Sequence, residues 1–281
     1  MLTLVESISL AGDRAKQNDD AHGFAHGAAW VIDGATDLHG APLTSEASDA
    51  AWIAQNANAY FHEHAGAHGE DGLRALMRDA ATAAAIEFAR IADAPEEKWK
   101  SPICSLLMAA ETDAGVSGLD LGDCRVFALD AGGAVFQVGG PDRIADVESE
   151  LAAKAAKDAS GAALLRHEGT MNMLRRLRAT QNGGDNSWTF CLDPACAEHA
   201  RVWRLDLARP AYLLLATDGF AALVDRYRAY DAGTLVQNAV SRGLHELGRE
   251  LRGIELADIA GAEHPRFKPS DDATALLLRL T

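Results

Sequence analysis

Two Asp-Gly pairs close apolar runs in this chain: AAWVIDG, from Ala28 to Gly34, and AYLLLATDG, from Ala211 to Gly219. Runs of that length and character read as strands buried on both faces. An ionised carboxylate at such a strand tip is costly unless the following turn hydrogen-bonds it or a cation binds it. Taken singly, Asp33 and Asp218 fit the turn reading, the commonest use of Asp-Gly. With Asp19-Asp20 upstream and Asp271-Asp272 downstream they form an oxygen-rich set, and cation binding becomes the leading reading. Hard divalent cations such as Mg²⁺ or Mn²⁺ take oxygen ligands, and two held roughly 3.5–4 Å apart lower the pKa of water enough to make a nucleophile near neutral pH. Phosphoryl transfer suits such a site, because the ions neutralise phosphate oxygens without covalent catalysis. A glycine directly after the Asp lets the backbone turn tightly, so that its own carbonyl can face an ion.

Strands must deliver these acids. Residues 3–10 read as a first strand, and the polar loop AGDRAKQNDD then brings Asp19 and Asp20 before the small-residue stretch AHGFAHGAA. Helices are expected from about Ser45 to His64, with Trp52, Ile53, Asn56, Tyr60 and Phe61 on one face, and from Leu73 to Ile91, with Leu73, Leu76, Met77, Ala80, Ala84, Phe88 and Ile91 on one stripe. ICSLLMAAE, VSGLDLG, CRVFALD and AVFQV follow as short strands whose short links predict antiparallel pairing. The apolar pattern weakens between about Pro141 and Glu198, which reads as an insertion beside a single domain spanning 1–281. The chain returns with RVWRLDL, the strand ending at Asp218, a long helix from about Ala232 to Arg252, and a last strand ATALLLRL. Strand runs with helix pairs on either side predict an α+β fold of two packed antiparallel sheets flanked by helices. Such a sandwich gathers the Asp-bearing strand ends at one rim.

The 281 residues carry 26 Lys and Arg against 41 Asp and Glu, a formal charge of −15, which argues against a nucleic-acid surface. No apolar segment reaches membrane-spanning length, and the start has no basic leader, so a cytoplasmic protein is expected. Cys104, Cys124, Cys191 and Cys196 include no CxxC pair and read as reduced thiols. Cys191, Cys196 and His199 lack a fourth ligand at zinc-site spacing. His62, His64 and His68 crowd a helix end, where they can face its carbonyls. Arg175, Arg176 and Arg178 read as a solvated helix face, or, beside an acidic site, as a basic run that steers phosphate groups.

GDRAKQNDDA, WVIDG, LGDCRVFAL, LLLATDGF and SDDATALLL, in this order and spanning about Gly12 to Leu280, resemble the successive motifs of the metal-dependent Ser/Thr protein phosphatases, the protein phosphatase 2C or PPM family. The resemblance implies an α-β-β-α sandwich in which a binuclear Mg²⁺ or Mn²⁺ site hydrolyses phosphoserine and phosphothreonine in proteins or peptides. It implies that Asp33 bridges both ions, that the Gly34 carbonyl faces one of them, and that Asp218 and Asp271 complete the other ion's shell. Asp20 matches the acid near the second ion, Asp19 stands where the family usually has Glu acting through water, and Asp123 matches the ligand of a third, weaker ion. The weak segment 141–198 matches the family's variable flap. Arg14 is the candidate phosphate-binding Arg, one residue farther from the acidic pair than usual, with Lys16 as a nearer competitor. Ala35 replaces the His found two residues after the bridging Asp in many eukaryotic members, which leaves His39 as the nearest candidate general acid. Asp272 replaces a usual Asn, to modify metal affinity or to cap the turn. Asp123 and Arg125 also fit a turn with a salt bridge. Two other readings stand beside the phosphoprotein phosphatase: an inactive pseudophosphatase acting as a binding module, and a phosphatase of small phosphorylated metabolites.

Overall fold

Which partner meets each face of an apolar strand decides the layers. The computed structural model describes residues 1–44, 46–66, 70–140, 168–184 and 187–281. One sheet runs β2 (Ala21–Ala25), β3 (Ala28–Gly34), β4 (Ile103–Glu111), β5 (Gly115–Leu121), β9 (Arg201–Asp206), with a short β8 (Phe190–Cys191) paired to β4. The other runs β1 (Leu2–Leu10), β11 (Ala273–Leu280), β10 (Ala211–Ala216), β6 (Arg125–Leu129), β7 (Val135–Gly139). All these pairings are antiparallel.

Side chains alternate along a strand, so each face of a central strand needs its own cover. In β3, Trp30 and Ile32 join the core under α1 (Asp49–His64) and α2 (Glu70–Ile91), while Ala29 and Val31 join the core between the sheets. In β10, Leu213 and Leu215 face the other sheet, while Leu214 and Ala216 pack with α4 (Asp218–Asp225), α5 (Ala232–Arg242) and α6 (Leu244–Ala257). Both strands are therefore apolar without a break, as strands covered on both faces must be. The expected sandwich of two sheets between helix layers is what forms.

Local expectations differ from the structure where a single residue redirects the chain. The stretch AHGFAHGAA is a hairpin, β2 to β3, turning through His26 and Gly27 at φ 50° and 80°, the backbone of a tight primed turn. β5 and β6 do not pair with each other: at Gly122, φ 87°, the chain leaves one sheet for the other. The single helix expected from Ala232 to Arg252 is two, broken at Gly243, φ 84°. α1 starts at Asp49 because the Ser48 side chain caps it, accepting from the Ala51 N–H, and Ser45 lies outside the described residues. The α2 stripe is buried from Leu73 to Phe88, whereas Ile91 is exposed.

The expected variable segment 141–198 divides. Residues 141–167 lie outside the described residues. α3 (Glu168–Thr180) follows, and Phe190, Cys196 and Ala197 are buried in the core beneath α1 and α2. All four cysteines are buried free thiols. His64 Nδ1 meets the Tyr60 carbonyl at 3.0 Å, as expected of a helix-end His, whereas His62 packs edge-on to Trp30, and His68 is outside the described residues. Among the described residues no helix is long and apolar enough to cross a membrane.

Candidate metal centre

Asp33 shares the parity of Ala29 and Val31 in β3, so it points into the gap between the sheets, at the rim. Opposite it on β4 is Ser105, whose hydroxyl donates to Asp123 Oδ1 at 2.8 Å. The switch between sheets at Gly122 thus sets Asp123 near Asp33. Asp218 arrives from the other sheet. Thr217 is the N-cap of α4, which puts Asp218 in the first helical turn, where the helix dipole favours negative charge. The turn is pinned to β11, because the Thr217 amide donates to the Thr274 carbonyl and the Thr274 amide to Thr217 Oγ1, both at 3.0 Å. Thr217 Oγ1 also donates to Asp20 Oδ2 at 2.9 Å, joining three distant chain segments.

Glycine after each Asp serves close approach. Neither Gly34 nor Gly219 has a positive φ. A Cβ on Gly34 would stand 2.5 Å from the Asp19 carbonyl oxygen, and one on Gly219 would collide with the Asp272 carbonyl oxygen. The glycines let the two Asp-bearing tips press against the segments carrying the other acids. Asp272 completes the clamp, accepting the Gly12 amide and the Asp19 amide at 2.7 Å each. It fastens the loop of residues 12–19 to the start of β11.

The acids converge. Asp33 feels the charges of Asp218, Asp20, Asp123 and Asp271, and it shares a hydrogen bond with Asp218. Burial, followed by this repulsion, pushes its carboxyl well above the ordinary value. Burial likewise raises Asp20 and Asp218, and lifts Asp19 to about 6. Asp271 differs: burial opposes its charge, but the Lys268 ammonium, 2.8 Å away, and the Arg226 guanidinium hold it below the usual range. Burial works against the Lys268 charge in turn, yet Asp271 and Asp33 keep that ammonium above its usual pKa.

Asp20 is 4% exposed, and Oδ1 of both Asp19 and Asp20 is buried without a hydrogen-bond partner. Buried polar atoms are almost always partnered. A set of hard carboxylate oxygens with unspent lone pairs fits one or more Mg²⁺ or Mn²⁺ ions.

The remaining candidates lie elsewhere or are engaged. Arg14 is exposed on the turn of residues 12–16, whose base is the Gly12–Asp272 contact. Lys16 is exposed on the same turn. His39 is held by Ala41 O at Nδ1, 2.8 Å, and by Asp49 at Nε2, 3.3 Å. Arg125 pairs with Asp225 at 3.0 Å. The basic face of α3 is not simply solvated: Arg175 Nε donates to the Leu38 carbonyl at 2.9 Å and its guanidinium lies 4.7 Å over Trp99, while Arg178 reaches the Thr36 carbonyl at 3.4 Å. α3 is thereby fastened to the loop leaving Gly34.

Sequence reasoning missed Thr217, Arg226 and Lys268. Lys268 stands three residues before Asp271, and Thr217 directly before Asp218, but no local pattern distinguishes them from solvated or capping residues.

No protein-family model and no curated protein matches the sequence. Solved structures match across nearly all of it. The serine/threonine phosphatase PstP/Ppp of Mycobacterium tuberculosis is similar with a TM-score of 0.59 at 16% identity, covering 99% of this chain and 98% of that one. The PPM Ser-Thr phosphatase MsPP of Mycobacterium smegmatis, in complex with cacodylate, matches with a TM-score of 0.54 at 19% identity over 98% and 97%. The PstP catalytic domain in complex with two manganese ions matches with a TM-score of 0.57 at 16% identity over 99% of both chains. This chain has the fold of the PPM-type Ser/Thr phosphatases.

Proposed function

We propose that the chain is a metal-dependent phosphoprotein phosphatase that hydrolyses phosphoserine and phosphothreonine esters. One observation carries this reading: acids from distant segments meet at one rim with buried oxygens of Asp19 and Asp20 left unpartnered. The PstP structure with two manganese ions supports a binuclear site on the same fold. On this reading Asp33, the Gly34 carbonyl, Asp218, Asp271 and Asp20 would hold the ions, with Asp19 acting through water and Asp123 available to a third ion. Such ions supply Lewis acidity to the phosphoryl oxygens and lower the pKa of water.

The chain's own residues position the reaction. Asp33 and Asp218 come from opposite sheets, and Thr217 and Asp272 fix their supporting loops, so the carboxylates are preorganised rather than gathered on binding. Arg14, on its exposed turn, is the group to receive the substrate phosphate, with Lys16 beside it. The ring nitrogens of His39 already face Ala41 and Asp49, which favours proton delivery to the leaving group by water.

Purified protein is expected to hydrolyse a phosphothreonine peptide and p-nitrophenyl phosphate only with added Mn²⁺ or Mg²⁺, and Asp218→Ala to abolish turnover. Turnover without metal, or an Asp218→Ala protein as active as wild type, would refute the reading. A second reading, a metal-poor binding module on the same fold, is favoured by the Lys268–Asp271 ion pair. Phosphopeptide binding without turnover at saturating metal would select it.

A further inference from the structure

The loop between α6 and β11 is built around a cation that the proposed reaction does not use. Asp258 accepts the amides of Ala262, Glu263 and His264, which winds the loop back on itself. Arg266, 5% exposed, binds Asp258 Oδ2 at 3.0 Å and donates from Nε to the Pro269 carbonyl at 2.9 Å. Residues 266 and 269 are therefore both anchored, and Lys268 is held between them. On the far side Arg252 ties the Asp271 carbonyl to Leu10, at 2.8 and 3.0 Å. This frame leaves the Lys268 ammonium 2.8 Å from Asp271 Oδ1, among the charges of Asp33, Asp218, Asp19 and Asp272.

Asp271 thereby has its charge answered directly by an ammonium of the protein. Its Oδ1 accepts the Lys268 ammonium and, at 3.1 Å, the Asp272 amide, whereas the Oδ1 atoms of Asp19 and Asp20 accept nothing. A divalent ion approaching Asp271 meets a fixed positive charge within a few ångströms, and like charges at that range repel strongly in a partly buried site. With no ion bound, the same ammonium offsets the mutual repulsion of the acids.

We propose that Lys268 is a built-in competitor of the divalent ion bound through Asp271: it stabilises the acidic rim when no ion is present and weakens the ion's affinity. The inference rests on the metal reading above and assigns Lys268 a positioning role, not a catalytic one.

The test is calorimetric titration of Mn²⁺ into wild type, Lys268→Met, Lys268→Arg and Asp218→Ala, with thermal melts of each protein without metal; Lys268→Gln replaces the Met variant if that fails to fold. Lys268→Met is expected to bind one Mn²⁺, the ion held through Asp271, about tenfold more tightly than wild type. It is also expected to melt below wild type without metal and to regain the difference with saturating Mn²⁺. Lys268→Arg, keeping the charge, is expected to behave as wild type. Equal or weaker Mn²⁺ binding by Lys268→Met overturns the inference, as does an equal tightening in Lys268→Arg. If Asp218→Ala still loses Mn²⁺ while Lys268→Met is unchanged, only this inference falls. If none of the proteins takes up Mn²⁺, the metal reading falls with it.

Discussion

Two groups of acids, one on the chain leaving β3 and one gathered at its tip, look alike in sequence and differ in how their oxygens are spent. In one, Asp37, His39 and Asp49 bring their ligand atoms within 4.8 Å of one another, a geometry open to a metal. Yet fully buried Asp49 accepts the Leu43 and Thr44 amides at 2.8 Å each, and its own amide donates to Asp37 at 2.8 Å. In the other, Asp19 and Asp20 each keep a buried, unpartnered oxygen, and Asp20, Asp33 and Asp218 are raised together by burial and crowding. The first group is a loop staple and the second has unspent binding capacity. Acids drawn equally close together can thus differ in how many oxygens they leave open to bind.

Removing one acid from each group tests the contrast most severely. Asp33→Asn is expected to lower metal-dependent turnover about a hundredfold or more, and to raise the melting temperature of the metal-free protein by relieving repulsion. Asp49→Ala is expected to do the reverse, keeping Mn²⁺ uptake in the folded fraction while destabilising by about 2 kcal/mol, since two part-buried amides lose their acceptor. Equal metal binding by Asp33→Asn and wild type would erase the distinction.

Gly34→Ala comes next. The new Cβ would press on the Asp19 and Ala50 carbonyls, at 2.5 and 2.9 Å, and is expected to destabilise by about 2 kcal/mol while weakening Mn²⁺ binding, both readable by melts with and without metal.

Acidity offers a subtler handle. The Asp19 carboxyl, near 6 in the fold against an ordinary 3.8, binds its proton more tightly folded than unfolded. The native state then carries the extra proton between about pH 4 and pH 6, so metal-free stability falls as pH rises through that window. Asp20, Asp33 and Asp218 shift in the same direction. Mn²⁺, which displaces such protons, is expected to raise the melting temperature more at about pH 7 than at about pH 5. An equal gain at both would place the ions away from these acids.

The smallest effect separates neighbours on α3. Arg175→Ala, losing the Leu38 carbonyl and the Trp99 face, is expected to cost about 1 kcal/mol in chemical denaturation. Exposed Arg176→Ala is expected to stay within about 0.5 kcal/mol of wild type.

Much of the fold was legible because the strands at its centre are apolar without interruption, and only a strand covered on both faces has that composition. The breaks were not. Gly122, which carries the chain between sheets, and Gly243, which splits the long helix, are single glycines in sequences that otherwise continue an expected element. β2 was hidden because its residues are small and its turn, His26-Gly27, lacks the usual Asn or Asp. Within the site, Asp33 and Asp218 stood out as charges ending apolar runs. Lys268 did not, because a lysine in a polar loop reads as solvated until Arg266 and Pro269 are seen to hold it against Asp271.

From the amino-acid order alone follow the layers and the acids that stand at strand ends. Side-chain alternation and the exclusion of charge from a doubly covered strand act over a few neighbouring residues. Only the tertiary structure decides which of those acids are satisfied and which are left open. That depends on amides and cations remote in the chain, such as Gly12 on Asp272 or Thr217 on Asp20, whose contacts exist only once the two sheets have packed.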